Sequence, residues 1–310
     1  MRIVIPDDYQ DAVRHLDCFA KLRDHDVTIF HDTVNDIDTL AERFRDADAL
    51  VLIRERTSID DELLSRLPRL KVISQTGKGT SHIDVDACAR RGIEVTTGTG
   101  SPYAPAELTW ALVLAAMRRI PQEAAHLRAG GWQHLLGTTV RGRTLGIFGY
   151  GKIGSLVAGY GRAFGMNVLA WGREGSQSRG QKDGYAVAAN VEELFAQSDV
   201  LSLHLRLTDE TRAIVTAADL ARMKRNALLV NTSRAELIES GALEAALRAG
   251  RPGFAAVDVY EEEPIVGAQH PLPAMDNVIA TPHLGYVEKD SYELYFGQAF
   301  DNINAFAASR

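Results

Sequence analysis

Leu145-Gly146-Ile147-Phe148-Gly149-Tyr150-Gly151-Lys152-Ile153-Gly154 runs from an apolar stretch through three spaced glycines into Ser155 to Phe164, which can continue as a helix. Each glycine has its own physical reason. Gly149 permits a tight turn, Gly151 lets the backbone approach a pyrophosphate without an intervening Cβ, and Gly154 lets the helix pack closely on the strand. Phosphate charge then meets the helix N-terminus, where Lys152 and Ile153 form the first turn. Taken alone, such a turn reads equally well as a strand-to-helix connection without a ligand. Its position after a strand, before a helix and inside an alternating array makes it a dinucleotide-binding turn.

The same alternation extends both ways. Downstream, apolar runs at 167–171, 200–203, 228–230, 255–257 and 278–280 are separated by helical stretches, the pattern of a second doubly wound sheet. Upstream, the runs at 3–5, 27–30, 49–52, 72–74 and 93–95 make a first α/β unit, and their apolar character predicts burial on both faces. Between the two lies Thr97 to Pro102, a small-residue stretch. An almost wholly apolar helix from Ala106 to Met117 follows, too apolar for one core-facing stripe and therefore expected between domains or against a second subunit. The segment from Glu288 to Ala307 reads as a helix that crosses back onto the first domain.

The bulk properties fit this organisation and exclude several function classes. At 310 residues the chain exceeds one growing core, and 45% hydrophobic with 24% charged residues is ordinary globular composition. No apolar run is long enough to span a bilayer, and Met1 to Asp8 reads as a first strand rather than a secretory signal. Cys18 and Cys88 have no partners at metal spacing, so neither a metal site nor a disulfide framework is predicted, and the expected compartment is the reducing cytoplasm. A net charge of −7 without a basic face argues against nucleic acid as a partner.

The choice of dinucleotide turns on the end of the strand at 167–171. An acidic residue there would take the ribose 2′-hydroxyl, but the sequence reads Trp171-Gly172-Arg173-Glu174. Gly172 stands at the carboxylate position, and Arg173 beside it suits a 2′-phosphate. This leans towards NADP, while Glu174 keeps NAD open if the turn is longer.

Three side chains follow successive strand ends of the second sheet: Arg234, Glu263 and His283. Ligands of open α/β sheets bind outside the carboxyl ends of strands, so the three are placed to converge. With the glycine turn, the stretches Asn231-Thr232-Ser233-Arg234-Ala235, Asp258-Val259-Tyr260-Glu261-Glu262-Glu263-Pro264 and Thr281-Pro282-His283-Leu284-Gly285 occur in the order seen in the D-isomer-specific 2-hydroxyacid dehydrogenases, which the chain resembles over essentially its whole length. The resemblance implies a flavodoxin-like substrate domain at 1–98 plus 284–310 and a Rossmann dinucleotide-binding domain at 99–283. It implies hydride transfer between NAD(P) and a 2-keto or D-2-hydroxy acid, Arg234 gripping the substrate, His283 as acid/base and Glu263 orienting it. It further places Lys78, Gly79 and Thr80 on the substrate, and Thr232, Asp258, His204 and Arg206 on the cofactor. Family habit also implies a homodimer. Arg206 stands where the family has proline, and Ala235 and Tyr286 replace glycines, so the adenosine wall and the substrate pocket are expected to differ in shape. The runners-up are a phosphite- or formate-type dehydrogenase and a dinucleotide-sensing co-repressor. Glu263 argues against the formate type, which pairs its histidine with glutamine, and the intact Arg234, Glu263 and His283 argue against a sensor.

Overall fold

The computed structural model describes residues 1–267 and 269–309. The chain divides into two compact units, Met1–Ser101 with Val287–Arg310, and Pro102–Tyr286. The boundaries fall slightly later than the 98/99 and 283/284 expected from sequence.

In the first unit, β1 (Arg2–Ile5), β2 (Asp26–Ile29), β3 (Ala49–Ile53), β4 (Val72–Thr76) and β5 (Glu94–Thr97) form a wholly parallel sheet in the order β2-β1-β3-β4-β5, the flavodoxin-like arrangement. The crossover helices α1 (Ile37–Phe44), α2 (Asp61–Ser65) and α3 (Val85–Arg90) each start at an aspartate, Asp36, Asp60 and Asp84, whose side chain accepts a backbone N–H of the first turn. Every residue of β3 and β4 is buried. The expectation of burial on both faces fails for β2 and β5. They are the sheet edges, where Asp26, Thr28, Glu94 and Thr97 face outward.

The second unit begins with α4 (Tyr103–Met117) and α5 (Ile120–Arg128). Then β6 (Thr144–Phe148), α6 (Lys152–Ala163), β7 (Asn167–Trp171), α7 (Glu174–Lys182), β8 (Ala186–Val187), α8 (Val191–Gln197), β9 (Val200–Leu203), α9 (Ala217–Arg222), β10 (Leu228–Asn231), α10 (Ala242–Arg248), β11 (Phe254–Val257) and β12 (Val278–Ala280) follow in alternation. The sheet order is β12-β11-β10-β9-β6-β7-β8, a Rossmann order whose direction reverses beside β6. Strand side chains divide by parity. Leu201, Leu203, Leu229, Ala255 and Val257 enter one core, while Val200, Leu228, Val230 and Ala256 enter the other. The two-residue β8 was missed because it is too short to show a periodic pattern.

The apolar α4 packs within its own unit, against α6 and the strands β10 to β12, with Trp110, Leu112, Val113 and Met117 buried. That accounts for most of its circumference. Exposed large apolar side chains include Tyr103 at the start of α4 and, on α5 and beyond it, Ile120, Leu127, Trp132, Leu136 and Phe164. The last helix, α11 (Lys289–Ala308), belongs to the first unit, where it packs on β4 and on the 3-10 segment Asp17–Leu22. Glu293 fixes that contact by accepting from the backbone N–H groups of Asp17 and Cys18 at 2.6 and 2.9 Å. No helix among the described residues is long and apolar enough to cross a membrane.

Candidate active site

The glycine turn has the geometry its residues predict. Gly149 sits at φ +99°, and a Cβ there would lie 2.7 Å from the His204 carbonyl oxygen. A Cβ on Gly154 would lie 2.3 Å from the Gly149 carbonyl oxygen, so only glycine lets α6 meet the turn this closely. Around Gly151, by contrast, a Cβ would meet nothing within 4 Å. No side chain caps α6, whose first turn carries no acid, so its leading N–H groups and positive dipole end remain available to an anion. Open space at the second glycine and an uncapped helix start fit a pyrophosphate.

The catalytic candidates come from β10, β11 and β12, which are adjacent and parallel, so their carboxyl ends share one edge. After β11, Glu263 folds back so that its Oε1 accepts the Tyr260 N–H at 3.0 Å. After β12, His283 adopts φ +52°, the left-handed region, and its Nδ1 lies 2.6 Å from Glu263 Oε2. A proton on Nδ1 satisfies this carboxylate and leaves Nε2 as the other ring nitrogen. The edge-to-face ring of Tyr286, 5.6 Å away, supports the imidazole.

Asp258 holds the loop that bears His283. It is fully buried, and its carboxylate accepts from Thr281 Oγ1 at 2.5 Å, Leu284 N at 2.7 Å and Gly285 N at 2.8 Å. Burial pushes the Asp258 carboxyl above its usual range, against the opposing pull of these donors. A further tie is the Tyr260 hydroxyl, which donates to the Thr281 carbonyl at 3.0 Å. At the end of β10, Asn231 builds the turn carrying Arg234: its Oδ1 accepts from Ser233 N at 3.0 Å and its Nδ2 donates to the Arg234 carbonyl at 2.9 Å. Ser233 Oγ in turn donates to Leu203 O at 2.7 Å.

Residues 110–285 match the family described as D-isomer specific 2-hydroxyacid dehydrogenase, NAD binding domain. Glyoxylate reductase of Aeropyrum pernix is 42% identical over 284 residues, 88% of this chain and 84% of that one. The chain belongs to the D-isomer-specific 2-hydroxyacid dehydrogenases. D-3-phosphoglycerate dehydrogenase of Methanocaldococcus jannaschii is 39% identical over 79% of this chain, which spans about half, 47%, of that longer relative. Among solved structures, a phosphoglycerate oxidoreductase from Vibrio cholerae superposes with a TM-score of 0.98 at 55% identity, covering 100% of both chains. A D-lactate dehydrogenase from Aquifex aeolicus, complexed with NAD and lactic acid, gives 0.79 at 29% identity over 99% of this chain and 96% of that one.

The other positions expected from sequence to meet the cofactor have distinct surroundings. Gly172 lies at φ +154°, where a Cβ would come 3.1 Å from that of Ser176, so a carboxylate-bearing residue is disfavoured there. Arg173 is exposed and pairs with Glu210 at 2.9 Å. The His204 backbone carbonyl stands against Gly149, while its ring has Nε2 2.9 Å from Ser202 Oγ and Nδ1 buried without a partner, and desolvation lowers its pKa to about 4. Arg206 is exposed and its carbonyl accepts from Thr211. The Thr232 hydroxyl lies 2.7 Å from that of the buried Thr109. Both Asp258 oxygens are already engaged by the loop after β12.

In the first unit, Lys78, Gly79 and Thr80 lie in the turn between β4 and α3. The structure adds two neighbours that sequence reading missed. A Cβ on Gly77 would lie 2.6 Å from Arg54 Nη1, and one on Gly79 would lie 2.1 Å from Glu55 Oε1, so both charged side chains rest on the loop. Nearby His82 has both ring nitrogens buried without hydrogen-bond partners, and burial lowers its pKa. Asp8, Asp11 and His31 approach one another in this unit. The Arg14 guanidinium already lies 3.1 Å from His31 Nε2, and Asp8 accepts from Ala12 and Val13, so the cluster is internally satisfied.

Two outcomes follow from this geometry. Gly154→Ala should weaken dinucleotide binding about tenfold or more, measured by fluorescence titration, because α6 must move off the turn; unchanged affinity would contradict the packing role. His204, neutral in the fold and lowered to about 4, contributes stability that is present above its unfolded value of about 6.5 and is lost as pH falls towards 4. Thermal melts between about pH 7.5 and about pH 4.5 should therefore fall more steeply in the native chain than in His204→Gln. Parallel curves would show that the buried imidazole does not carry this linkage.

Proposed function

We propose that the chain interconverts 2-keto acids and D-2-hydroxy acids with a nicotinamide dinucleotide, favouring NADP. The observation that carries this reading is the 2.6 Å pairing of His283 Nδ1 with Glu263 on a loop clamped by Asp258. The reduced nicotinamide, when bound, supplies a hydride to the carbonyl carbon. Protonated His283 delivers its Nε2 proton to the developing alkoxide, and Glu263 stabilises the ring and holds its tautomer. Arg234 donates from its planar fork to the substrate carboxylate and carbonyl oxygen, neutralising charge as it develops. In the oxidative direction neutral His283 takes the hydroxyl proton. Lys78, Gly79 and Thr80 are assigned to the substrate carboxylate, with backbone amides as donors.

The cofactor assignments place Gly149, Gly151, Lys152, Ile153 and Gly154 at the pyrophosphate, Gly172 and Arg173 at the adenosine ribose, His204 and Arg206 along the adenosine, and Thr232 and Asp258 towards the nicotinamide. The NADP preference is supported by a glycine at φ +154° where a ribose-binding carboxylate would stand, beside an arginine.

We also propose a homodimer formed through α5 and the segment after it. Trp132 is 74% exposed and Leu136 96%, large apolar surface that a lone copy leaves in water. Sedimentation equilibrium should give a dimer for the native chain and a monomer for Leu136→Asp. A native monomer, or a variant still dimeric, would overturn this interface.

His283→Ala should lower kcat by a factor on the order of a hundred or more while dinucleotide binding persists. The assay uses NADPH and NADH against glyoxylate, hydroxypyruvate and phenylpyruvate, with the lower KM expected for NADPH. Turnover of the variant at the native rate would remove His283 as the acid, and dinucleotide binding without oxidation by any keto acid would favour a sensor.

A further inference from the structure

β4 ends in three consecutive polar side chains, Ser74, Gln75 and Thr76, all buried inside the first sheet. Burying such groups is costly unless their hydrogen bonds are made, so each must find a partner there. Ser74 Oγ donates to the Ala299 carbonyl of α11 at 3.0 Å. The other two turn to the neighbouring strand, because the parallel pairing sets Gln75 beside Leu52 and Thr76 beside Ile53. Thr76 Oγ1 donates to the Leu52 carbonyl at 2.8 Å and accepts the Arg54 N–H at 3.0 Å. Gln75 Nε2 donates to the Arg54 carbonyl at 2.8 Å, while its Oε1 is buried without a partner. Both backbone groups of Arg54 are thus held by side chains of β4.

Arg54 needs that hold, because it sits at φ +55°, the left-handed region. A residue with a Cβ stays there only where its surroundings over-determine it. The turn has a direct consequence for the loop after β4. It lays the Arg54 guanidinium on the face of Gly77, with Nη1 2.6 Å from where a Cβ would stand, and lets the Glu55 carboxylate follow across Gly79. The far end of the same segment is fixed from β1, where the buried Asp7 accepts from Thr57 Oγ1 at 2.5 Å and from Thr33 Oγ1 at 2.6 Å.

We infer that Gln75 and Thr76 are positioning residues for substrate binding: by holding Arg54 in its left-handed turn they keep its guanidinium against the loop at Gly77 to Thr80. This rests on the assignment of Lys78, Gly79 and Thr80 to the substrate carboxylate. A guanidinium beside amides that receive a carboxylate adds to their positive potential, and Glu55 offsets part of it. Two positive side chains, Arg54 and Lys78, against the one negative Glu55 leave the loop matched to a single carboxylate. That carboxylate keeps its charge throughout the reaction, so an Arg54 released from its turn weakens ground state and transition state alike. The loss then falls on KM and spares kcat.

The test is steady-state reduction of glyoxylate by the full chain, with dinucleotide affinity followed by fluorescence titration. Thr76→Val removes the donor and the acceptor together, and should raise KM about tenfold or more while kcat stays within about threefold and dinucleotide affinity is unchanged. Thr76→Ser keeps the hydroxyl and should stay within about twofold of the native KM, whereas Gln75→Met, which loses one bond, should raise it about threefold. In an Arg54→Gln background neither Thr76→Val nor Gln75→Met should add a further rise, because both act through the one side chain. Native KM in Thr76→Val and Gln75→Met, a fall in kcat matching the rise in KM, or an undiminished effect in the Arg54→Gln background would each overturn the inference. Should Thr76→Val not fold, Gln75→Met decides it in the two backgrounds. A native chain that reduces no 2-keto acid overturns the reading of the site and the inference with it; normal native turnover with native-like variants overturns the inference alone.

Discussion

A buried carboxylate decides the geometry of the loop that carries His283. Asp258 follows β11 in the sheet interior, where a charge without partners would be costly, and it is satisfied by three donors from one loop, Thr281, Leu284 and Gly285. Hydrogen bonds to a charged group contribute about 1.5–3 kcal/mol each, enough together to hold a short loop in a conformation it would not choose alone. That conformation includes His283 at φ +52°, which costs on the order of 1–3 kcal/mol for a residue with a Cβ. The strain is local and sits at the residue whose imidazole Nδ1 faces Glu263.

The cofactor end obeys a different constraint, the absence of side-chain atoms. Gly149 and Gly154 are glycines because neighbouring carbonyl oxygens stand where a Cβ would go, and Gly172 because its backbone is left-handed and Ser176 fills the space beside it. These exclusions draw β6, β7 and the starts of α6 and α7 tightly together. They also leave room at Gly151, with uncapped helix N–H groups at hand. One end of the second unit is organised by a charge that must be satisfied, and the other by space that must remain empty.

Strand positions were legible because parallel β-strands covered on both faces read as short β-branched runs. The edge strands β2 and β5 misled because an edge keeps such residues while exposing polar neighbours, and β8 is too brief to leave a pattern. Arg234, Glu263 and His283 could be named from their places after strand ends and from the family resemblance. The residues that aim them were harder to see. Asn231, Tyr260 and Asp258 act through bonds to backbone groups, and nothing in residue type alone says which distant N–H a carboxylate will accept. Arg54 and Glu55 were missed for a related reason: they follow β3, and only the parallel pairing of β3 with β4 brings them onto the loop at Gly77 to Thr80. The apolar character of α4 is taken up largely by α6 and its own sheet, and exposed apolar surface remains at Tyr103 and on the next helix and beyond.

The proposed acid/base chemistry depends on the His283–Glu263 bond fixing which ring nitrogen carries the proton. Nitrogen-15 NMR of the labelled imidazole, with the neutral ring observed at high pH, reads that tautomer directly. The expected result is a protonated, hydrogen-bonded Nδ1 and a bare Nε2, with the Nδ1 proton signal lost from its low-field position in Glu263→Ala. A neutral ring carrying its proton on Nε2, or an Nδ1 signal indifferent to loss of the carboxylate, would contradict it.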